Sequence, residues 1–505
     1  MNRMTSSEWQ ARSTALRFET RAFIGADFAC PKHYAQGSAG FVTNNPATEQ
    51  NLATFLDGGA GMIHHAVTAA RQAFSTWRLC APESRKDCLQ ALAAKLSSAR
   101  ESLALFDSLE MGMPIAMALE QVDDAVAFLR YNAEFIDKLY GEVAPADPAT
   151  SLAFSQAEPR GVVGIISPWN VPFFTAMLAI APALAAGNTL VLKPSEQTPS
   201  SLLLMAALAA QINFPAGVIN VVPGLGLTAG AALASHSDVD LLHFTGSTQV
   251  GRQQMVYAGQ SNGKPVILEL GGKSPQMVFD DASDLLPDLA RSVVQSAFHN
   301  SGQVCVAKTR LLVQASIKPA LMAAIDTVAQ EVFRVGDPLD ESTTFGPIAS
   351  GKQYQRVKQA IAQGQEEGSE LHRLRLAGEP PRSGFYLTPV VLDHGRQHPR
   401  IAREEIFGPV LSVIEFNQDD EAIALANAVD YGLSASAWTQ NIPRARRLAR
   451  DILAGDISIH ATNSPATQPF ALSVEPFGRS GHGVLGGRAG LRPYQRCKAV
   501  RIISD

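Results

Sequence analysis

Between residues 59 and 139 apolar residues recur at helical spacing. The segments HHAVTAARQAFSTW, SRKDCLQALAAKLSSARESLALFDSLE and QVDDAVAFLRYNAEFIDKLYG each gather them on one face, which predicts amphipathic helices. GEVAPADPATSLAFSQAEPRG then breaks the period with prolines and short alternating runs, so 140–159 reads as an extended arm or hairpin. From 161 to 272 strand and helix patterns alternate. VVGIIS, NTLVLKP, GVINVVPG and LLHFTG read as strands, followed in turn by the helices FFTAMLAIAPALAA, PSSLLLMAALAAQI, LTAGAALASH and STQVGRQQMVYAG. Repeated strand–helix units imply a parallel sheet with helices on both faces. A second alternating region, 273–474, offers SPQMVF, TRLLVQ, VLSVIEF and SASAWT as strands, with LMAAIDTVAQEVF and DDEAIALANAV as helices. The tail YQRCKAVRIIS ends in a strand expected to be unpaired, and with the arm it leaves sheet edges open to another subunit. The pattern predicts an α/β protein of two α/β domains plus a small extended element.

Composition sharpens that picture at a few points. A chain of 505 residues exceeds what one core serves, in keeping with more than one domain. A net charge of −5 gives no reason to expect nucleic acid or an anionic membrane as partner. The apolar stretch 161–187 has the length of a membrane span. Pro168, Asn170, Pro172 and Pro182 interrupt it, so a buried strand, a polar turn and a buried helix explain it better. The five cysteines include no C-x-x-C pair, which argues against a disulfide framework and a zinc or other metal site. Cys30, Cys80, Cys88 and Cys497 read as small buried hydrophobes. No apolar run opens the chain, so no secretory signal is read and a cytoplasmic location is expected.

Polar residues and glycines collect where the strands of the first region end. Pro168-Trp169-Asn170 follows VVGIIS, Lys193-Pro194-Ser195-Glu196 follows TLVL, PGLGLTAG follows INVV, Thr245-Gly246-Ser247 follows LLHF, and Glu269-Leu270-Gly271-Gly272 follows VIL. Each has a plain structural reading. Asn170 can terminate a strand, Glu196 can cap a helix starting at Thr198 or stay solvated, the glycines can serve turns, and Glu269 can be a wet strand-end carboxylate. Gathered on one sheet edge they favour a ligand, because such sheets bind beyond the carboxyl ends of their strands. A dinucleotide suits this edge. Free N–H groups at the helix opened by Thr245-Gly246-Ser247 favour phosphate. Glu196 is placed to bond ribose hydroxyls and to repel a 2′-phosphate, favouring NAD over NADP.

In order along the chain, PWNVPF, LKPSEQTP, FPAGVINVVPG, FTGSTQVG, LELGGKSP, GQVC and EEIFGPV resemble the motifs of the aldehyde dehydrogenase superfamily. The resemblance runs from RAFIGADF to the final strand; EWQARSTALRFETRAFI, FIDKLYGEVA and MVYAGQSN are similar to bacterial aminoaldehyde dehydrogenases of polyamine breakdown. It implies a Rossmann-type cofactor domain (1–138 and 160–272), an α/β catalytic domain (273–474), and an oligomerisation element (139–159 and 475–505) that builds a homodimer or homotetramer. It implies NAD-dependent oxidation of a small-molecule aldehyde to the carboxylic acid, with NADP as the alternative cofactor. Cys305 of GQVC matches the nucleophile, Asn170 the side-chain donor to the oxyanion, and Glu269 the base for thioester hydrolysis. Lys193 and Glu196 match adenine-ribose contacts, Ser247 a pyrophosphate contact, and Glu405 and Phe407 the groups that hold the nicotinamide ribose and ring. Ile166, Ser167, Pro168, Trp169, Ser195, Gly226, Phe244, Thr245, Gly246, Val250, Leu270 and Gly271 match the rest of the cofactor site.

Three departures from the family pattern bear on the substrate. PFGRSGHGVLGG, residues 476–487, is about three residues shorter than the usual run. SIHATNSPATQPFALSVE is longer than its usual counterpart, so the tunnel lip is expected to be rebuilt. His299 stands where many relatives carry an aromatic, and is read equally as a satisfied helix histidine; Val171, Met177 and Leu178 make the tunnel apolar. Two other readings compete: a CoA-acylating relative, disfavoured because Glu269 is present, and a scaffold or binding protein that has lost the chemistry, disfavoured by intact Cys305, Asn170 and Glu269.

Overall fold

The computed structural model describes residues 4–30, 40–462 and 470–503. Its first sheet has eight strands. Five of them, Ile219–Val221, Thr189–Lys193, Val162–Ile166, Leu241–Thr245 and Val266–Glu269, run parallel in that spatial order. Phe23–Ile24 and Asp27–Phe28 close one edge and Gly481–His482 the other, all antiparallel. The order reverses between Val162–Ile166 and Leu241–Thr245, so a crevice opens beyond the carboxyl ends of these two strands. Helices cover both faces, and the central strands therefore read as unbroken apolar runs: Val162, Val163, Ile165 and Ile166 are all buried.

The helix Pro172–Ala185 shows how the long apolar stretch resolves. Pro172 lies in its first turn, where a missing N–H costs nothing. The buried carboxyl of Asp107 accepts from Phe173 N–H at 3.2 Å, and Gly187 in the left-handed region (φ +90°) ends the run. No helix of the described residues is long and apolar enough to cross a membrane.

The second sheet holds seven strands in the spatial order Glu370–Arg373, Val390–Asp393, Val410–Phe416, Arg310–Gln314, Pro275–Val278, Ser434–Trp438 and Asp456–His460. All pair in parallel except the first, an antiparallel edge. The four strands read from the sequence are present; Glu370–Arg373, Val390–Asp393 and Asp456–His460 are additional. LTAGAALASH is a π-helical turn, Gly226–Gly230, followed by the short helix Ala231–Ser235.

Two expectations are corrected. The tail strand Gln495–Ile503 is not unpaired: it runs antiparallel to Ser151–Pro159 of the arm, from Gln495 opposite Pro159 to Ile503 opposite Ser151, and Val143–Ala144 adds a third strand. Arm and tail thus satisfy each other's ladder, while Val143, Leu152, Ile502 and Ile503 stay exposed. The four accessory cysteines are not buried hydrophobes. Cys30 and Cys497 are exposed, beside an edge hairpin and on the arm ladder, while Cys80 and Cys88 are partly exposed and pack against the first core.

Candidate active site

The cysteine loop is held under backbone strain. Asn300 (φ 51°), Ser301 (φ 56°) and Gly302 (φ 72°) are left-handed in succession. The two non-glycine residues cost on the order of 1–3 kcal/mol each, so their surroundings must fix them. Asn300 Nδ2 donates to Asn170 O at 2.9 Å, and Ser301 Oγ to Gly346 O at 2.7 Å. Gln303 Nε2 donates to Asn300 O and Pro347 O, and Gln303 Oε1 accepts from Ala349 N–H. At Gly302 a Cβ would lie 2.3 Å from Gly408 O, so the turn requires glycine. This loop presents Cys305, which is partly exposed.

Across the crevice, Asn170 Nδ2 donates to Gln303 O at 2.9 Å. That bond fixes the amide with one N–H committed and its second left to donate. Glu269 ends its strand directly opposite Thr245, and its Oε1 is buried without a hydrogen-bond partner. Burial pushes the Glu269 carboxyl well above the usual range. Burial also pushes the Cys305 thiol up to about 12; the nearby Glu405 and Glu269 carboxylates add to this, and the Val306 and Cys305 N–H groups oppose it.

Glu405 and Phe407 stand on the facing strap. Glu405 Oε1 accepts from Gly272 N–H at 3.1 Å, and a Cβ on Gly271 would lie 2.1 Å from Glu405 Oε2. Burial raises Glu405 to about 7. Phe407 is left-handed (φ 60°), and the carbonyls of Ile406 and Phe407 accept from Gln353 Nε2 at 3.1 and 2.9 Å. Its ring meets Trp169 edge-to-face at 5.3 Å.

The remaining residues lie along the sheet edge. Ile166 is buried, Ser167 Oγ is buried and unpartnered, and Pro168 and Trp169 are half-buried. Lys193 Nζ donates to Gly224 O at 3.1 Å and lies 3.6 Å from Glu196 Oε2. Ser195 Oγ accepts from Gln197 N–H. Glu196 is not a helix cap: the next helix begins at Ser200, capped by Glu110. Gly226 opens onto free space, and the Phe244 ring packs on Gly246, whose N–H donates to Glu269 O. Ser247 caps the helix Thr248–Gln260 by accepting from Val250 N–H, and Val250 is exposed beside it. Leu270 is buried against Gly251. A cavity of about 830 Å³ joins Ser247, Thr248, Arg252, Arg356 and Glu405.

Of the residues matched to the substrate tunnel, Val171 and Met177 are buried in the first core and Leu178 is half-buried against it. His299 is exposed at the end of helix Leu286–Phe298, and no described residue bonds its ring. The shortened loop is sewn between the two sheets. Phe477–Gly478 pairs with Tyr431–Gly432, Gly481–His482 with Leu268–Glu269, and Ser480 Oγ donates to Gly271 O at 2.8 Å. The longer upstream segment lies partly outside the described residues.

Several supporting residues escaped the sequence reading. Asp57 accepts from Leu225 N–H and Thr228 Oγ and so shapes the PGLGLTAG turn; Gln303, Asn300 and Gln353 brace the loops that carry Cys305 and Phe407. Gln303 stands inside GQVC and was discoverable from its place; Asp57 carries no local signal.

The sequence matches the model of the Aldehyde dehydrogenase family over residues 34–500. The chain belongs to the aldehyde dehydrogenase family. It is 41% identical over 477 residues to the aminoacetaldehyde dehydrogenase of Pseudomonas aeruginosa, covering 92% of this chain and 93% of the relative. It is 38% identical over 498 residues to the NADP/NAD-dependent aldehyde dehydrogenase PuuC of Escherichia coli, with 98% of each covered. Among solved structures, the indole-3-acetaldehyde dehydrogenase AldA of P. syringae, in complex with NAD+ and IAA, superposes with a TM-score of 0.94 at 38% identity, covering 99% of this chain and 100% of that one. This aldehyde dehydrogenase is an oxidoreductase that uses a nicotinamide cofactor, and its sheet edge fits one. The unpartnered Ser167 Oγ, the space beside Gly226, and Val250 exposed at a capped helix start form a polar and apolar cradle with room for a dinucleotide.

Proposed function

We propose that this enzyme oxidises an apolar-chain aldehyde to its carboxylic acid with Cys305 as nucleophile, Asn170 as oxyanion donor and Glu269 as hydrolytic base. The observation that carries the reading is the Asn170–Gln303 bond, which aims the carboxamide at a crevice whose other wall is the Cys305 loop. Cys305 Sγ releases its proton to water and attacks the aldehyde carbon, whose carbonyl π bond opens to give a hemithioacetal oxyanion. The free Asn170 N–H and the Cys305 backbone N–H donate to the oxygen that gains charge. NAD, when bound, supplies the hydride acceptor. Glu269 takes a proton from the water that hydrolyses the resulting thioester, and the acid leaves. Glu405 and Phe407 hold the nicotinamide half, Ser247 the pyrophosphate, and Lys193 and Glu196 the adenine ribose.

Glu196 gives the preference for NAD over NADP by this reading. Val171 and Leu178 line an apolar tunnel, with His299 at its mouth. Residues 1–138 with 160–272 form the cofactor domain and 273–474 the catalytic domain; 139–159 and 475–505 assemble a cytoplasmic homodimer or homotetramer. The test is NADH formation with aliphatic and amino-substituted aldehydes, with and without CoA. The expected result is CoA-independent NADH with one equivalent of acid. Dependence on CoA overturns the hydrolytic step, and no NADH with any aldehyde overturns the reading.

A further inference from the structure

Arg85, on helix Pro82–Ser98, is only 8% exposed. Its guanidinium makes no hydrogen bond or ion pair with any described residue, and Nε is buried without a partner. Guanidinium keeps its proton in proteins and carries five N–H donors. With no protein partner, this largely buried charge is met only by solvent at its Nη atoms on the cavity side. The carbonyl end of helix Pro172–Ala185 lies near it, with Nη1 seated over Gly187 so closely that a Cβ there would come within 2.9 Å. A helix end offers only partial negative charge.

This guanidinium lines a cavity of about 280 Å³ at the foot of the arm. Arg78 and Arg496 line it too. Glu158 is the one carboxylate on the wall, and it is already bonded to Lys498 and 3.9 Å from Arg496. The space is enough for a phosphate or a small carboxylate.

We infer that this cavity binds a small oxyanion, phosphate or carboxylate, seated on Arg85 with Arg78 and Arg496 around it. The site is separate from the catalytic crevice and independent of the function proposed above. The anion comes either free from solution or as a carboxylate carried by a second copy, since the arm and tail strands form one wall.

The test compares the full-length protein with Arg85→Met and Arg78→Gln, using inorganic phosphate and acetate against chloride at constant ionic strength. Thermal midpoints, sedimentation, and alkylation of Cys80 followed by peptide mass spectrometry are read together; Cys80 lines the same cavity. For a free anion, phosphate or acetate raises the midpoint saturably and slows Cys80 alkylation several-fold. The apparent Kd weakens by about tenfold in Arg78→Gln, the loss of one charge-assisted bond, and binding vanishes in Arg85→Met. For a second copy, the assembled protein does not respond to phosphate, but Arg78→Gln sediments as a smaller species and Arg78→Lys restores assembly. The inference is overturned if neither anion acts, Cys80 labels at an unchanged rate, and Arg78→Gln assembles normally. Because Arg78 is exposed, that variant decides the matter even where Arg85→Met fails to fold.

Discussion

At Cys305 the resting site works against charge. Burial raises the thiol to about 12, and two neighbouring carboxylates add to the shift, so the free enzyme holds a protonated sulfur at neutral pH. Alkylation of Cys305 by iodoacetamide should therefore rise by about tenfold per pH unit from neutral to alkaline pH; a plateau beginning below pH 8 would show an activated thiolate instead. Glu269→Gln removes one of those charges and should speed alkylation at alkaline pH. Slower alkylation would identify Glu269 as the base that activates the thiol. In turnover the same variant should slow the steady state more than the first burst of NADH, since hydrolysis follows hydride transfer. Cys305→Ala should make no NADH while still binding NAD, by calorimetry. Glu196→Ser should shift kcat/KM toward NADP by roughly tenfold to several-hundredfold, the effect of relieving like charges about 4 Å apart; no shift means the carboxylate points away from the ribose.

Among the elements, helix Arg100–Met111 has a role its periodicity does not reveal. Two buried carboxyls on it cap other helices: Asp107 accepts from Phe173 N–H, and Glu110 from Ser200 N–H and Oγ. Burial raises them to about 7 and about 8. Glu110→Ala should cost about 1–2 kcal/mol in chemical denaturation, and Glu110→Gln much less. The pH dependence has a definite sign. The folded pKa of Glu110 lies above the unfolded value, so its contribution is full below 4.5 and lost as pH rises toward about 8. Glu110→Gln should flatten the decline of stability across that window.

At the scale of the whole molecule, the arm and tail form one antiparallel ladder that leaves Leu152, Ile502 and Ile503 uncovered. Deleting residues 495–505 should strip the arm of its partner strand and give smaller species in sedimentation. An unchanged oligomer would place the subunit interface elsewhere. The two sheets are tied together by the short C-terminal loop. Ser480 Oγ donates to Gly271 O and accepts from Gly432 N–H, which joins the turn after the first sheet's strand Val266–Glu269 to the second half of the chain.

By itself the chain order determined the alternating α/β pattern, the sheet edge with its polar strand ends, and the positions of Cys305, Asn170 and Glu269. These signals are local: buried parallel strands require continuous apolar runs, and the three candidate site residues lie in short contiguous motifs. Tertiary structure alone decided what joins distant residues. The edge strand Gly481–His482, the pairing of tail with arm, Asp57 under the glycine turn and the carboxylate caps of Asp107 and Glu110 all depend on partners far along the chain. So does the exposure of Cys30 and Cys497, which follows from where an edge hairpin and a ladder meet solvent. A hydrogen bond between residues a hundred or more positions apart leaves no periodicity in either segment, because each end satisfies only its own geometry and the fold alone brings them together.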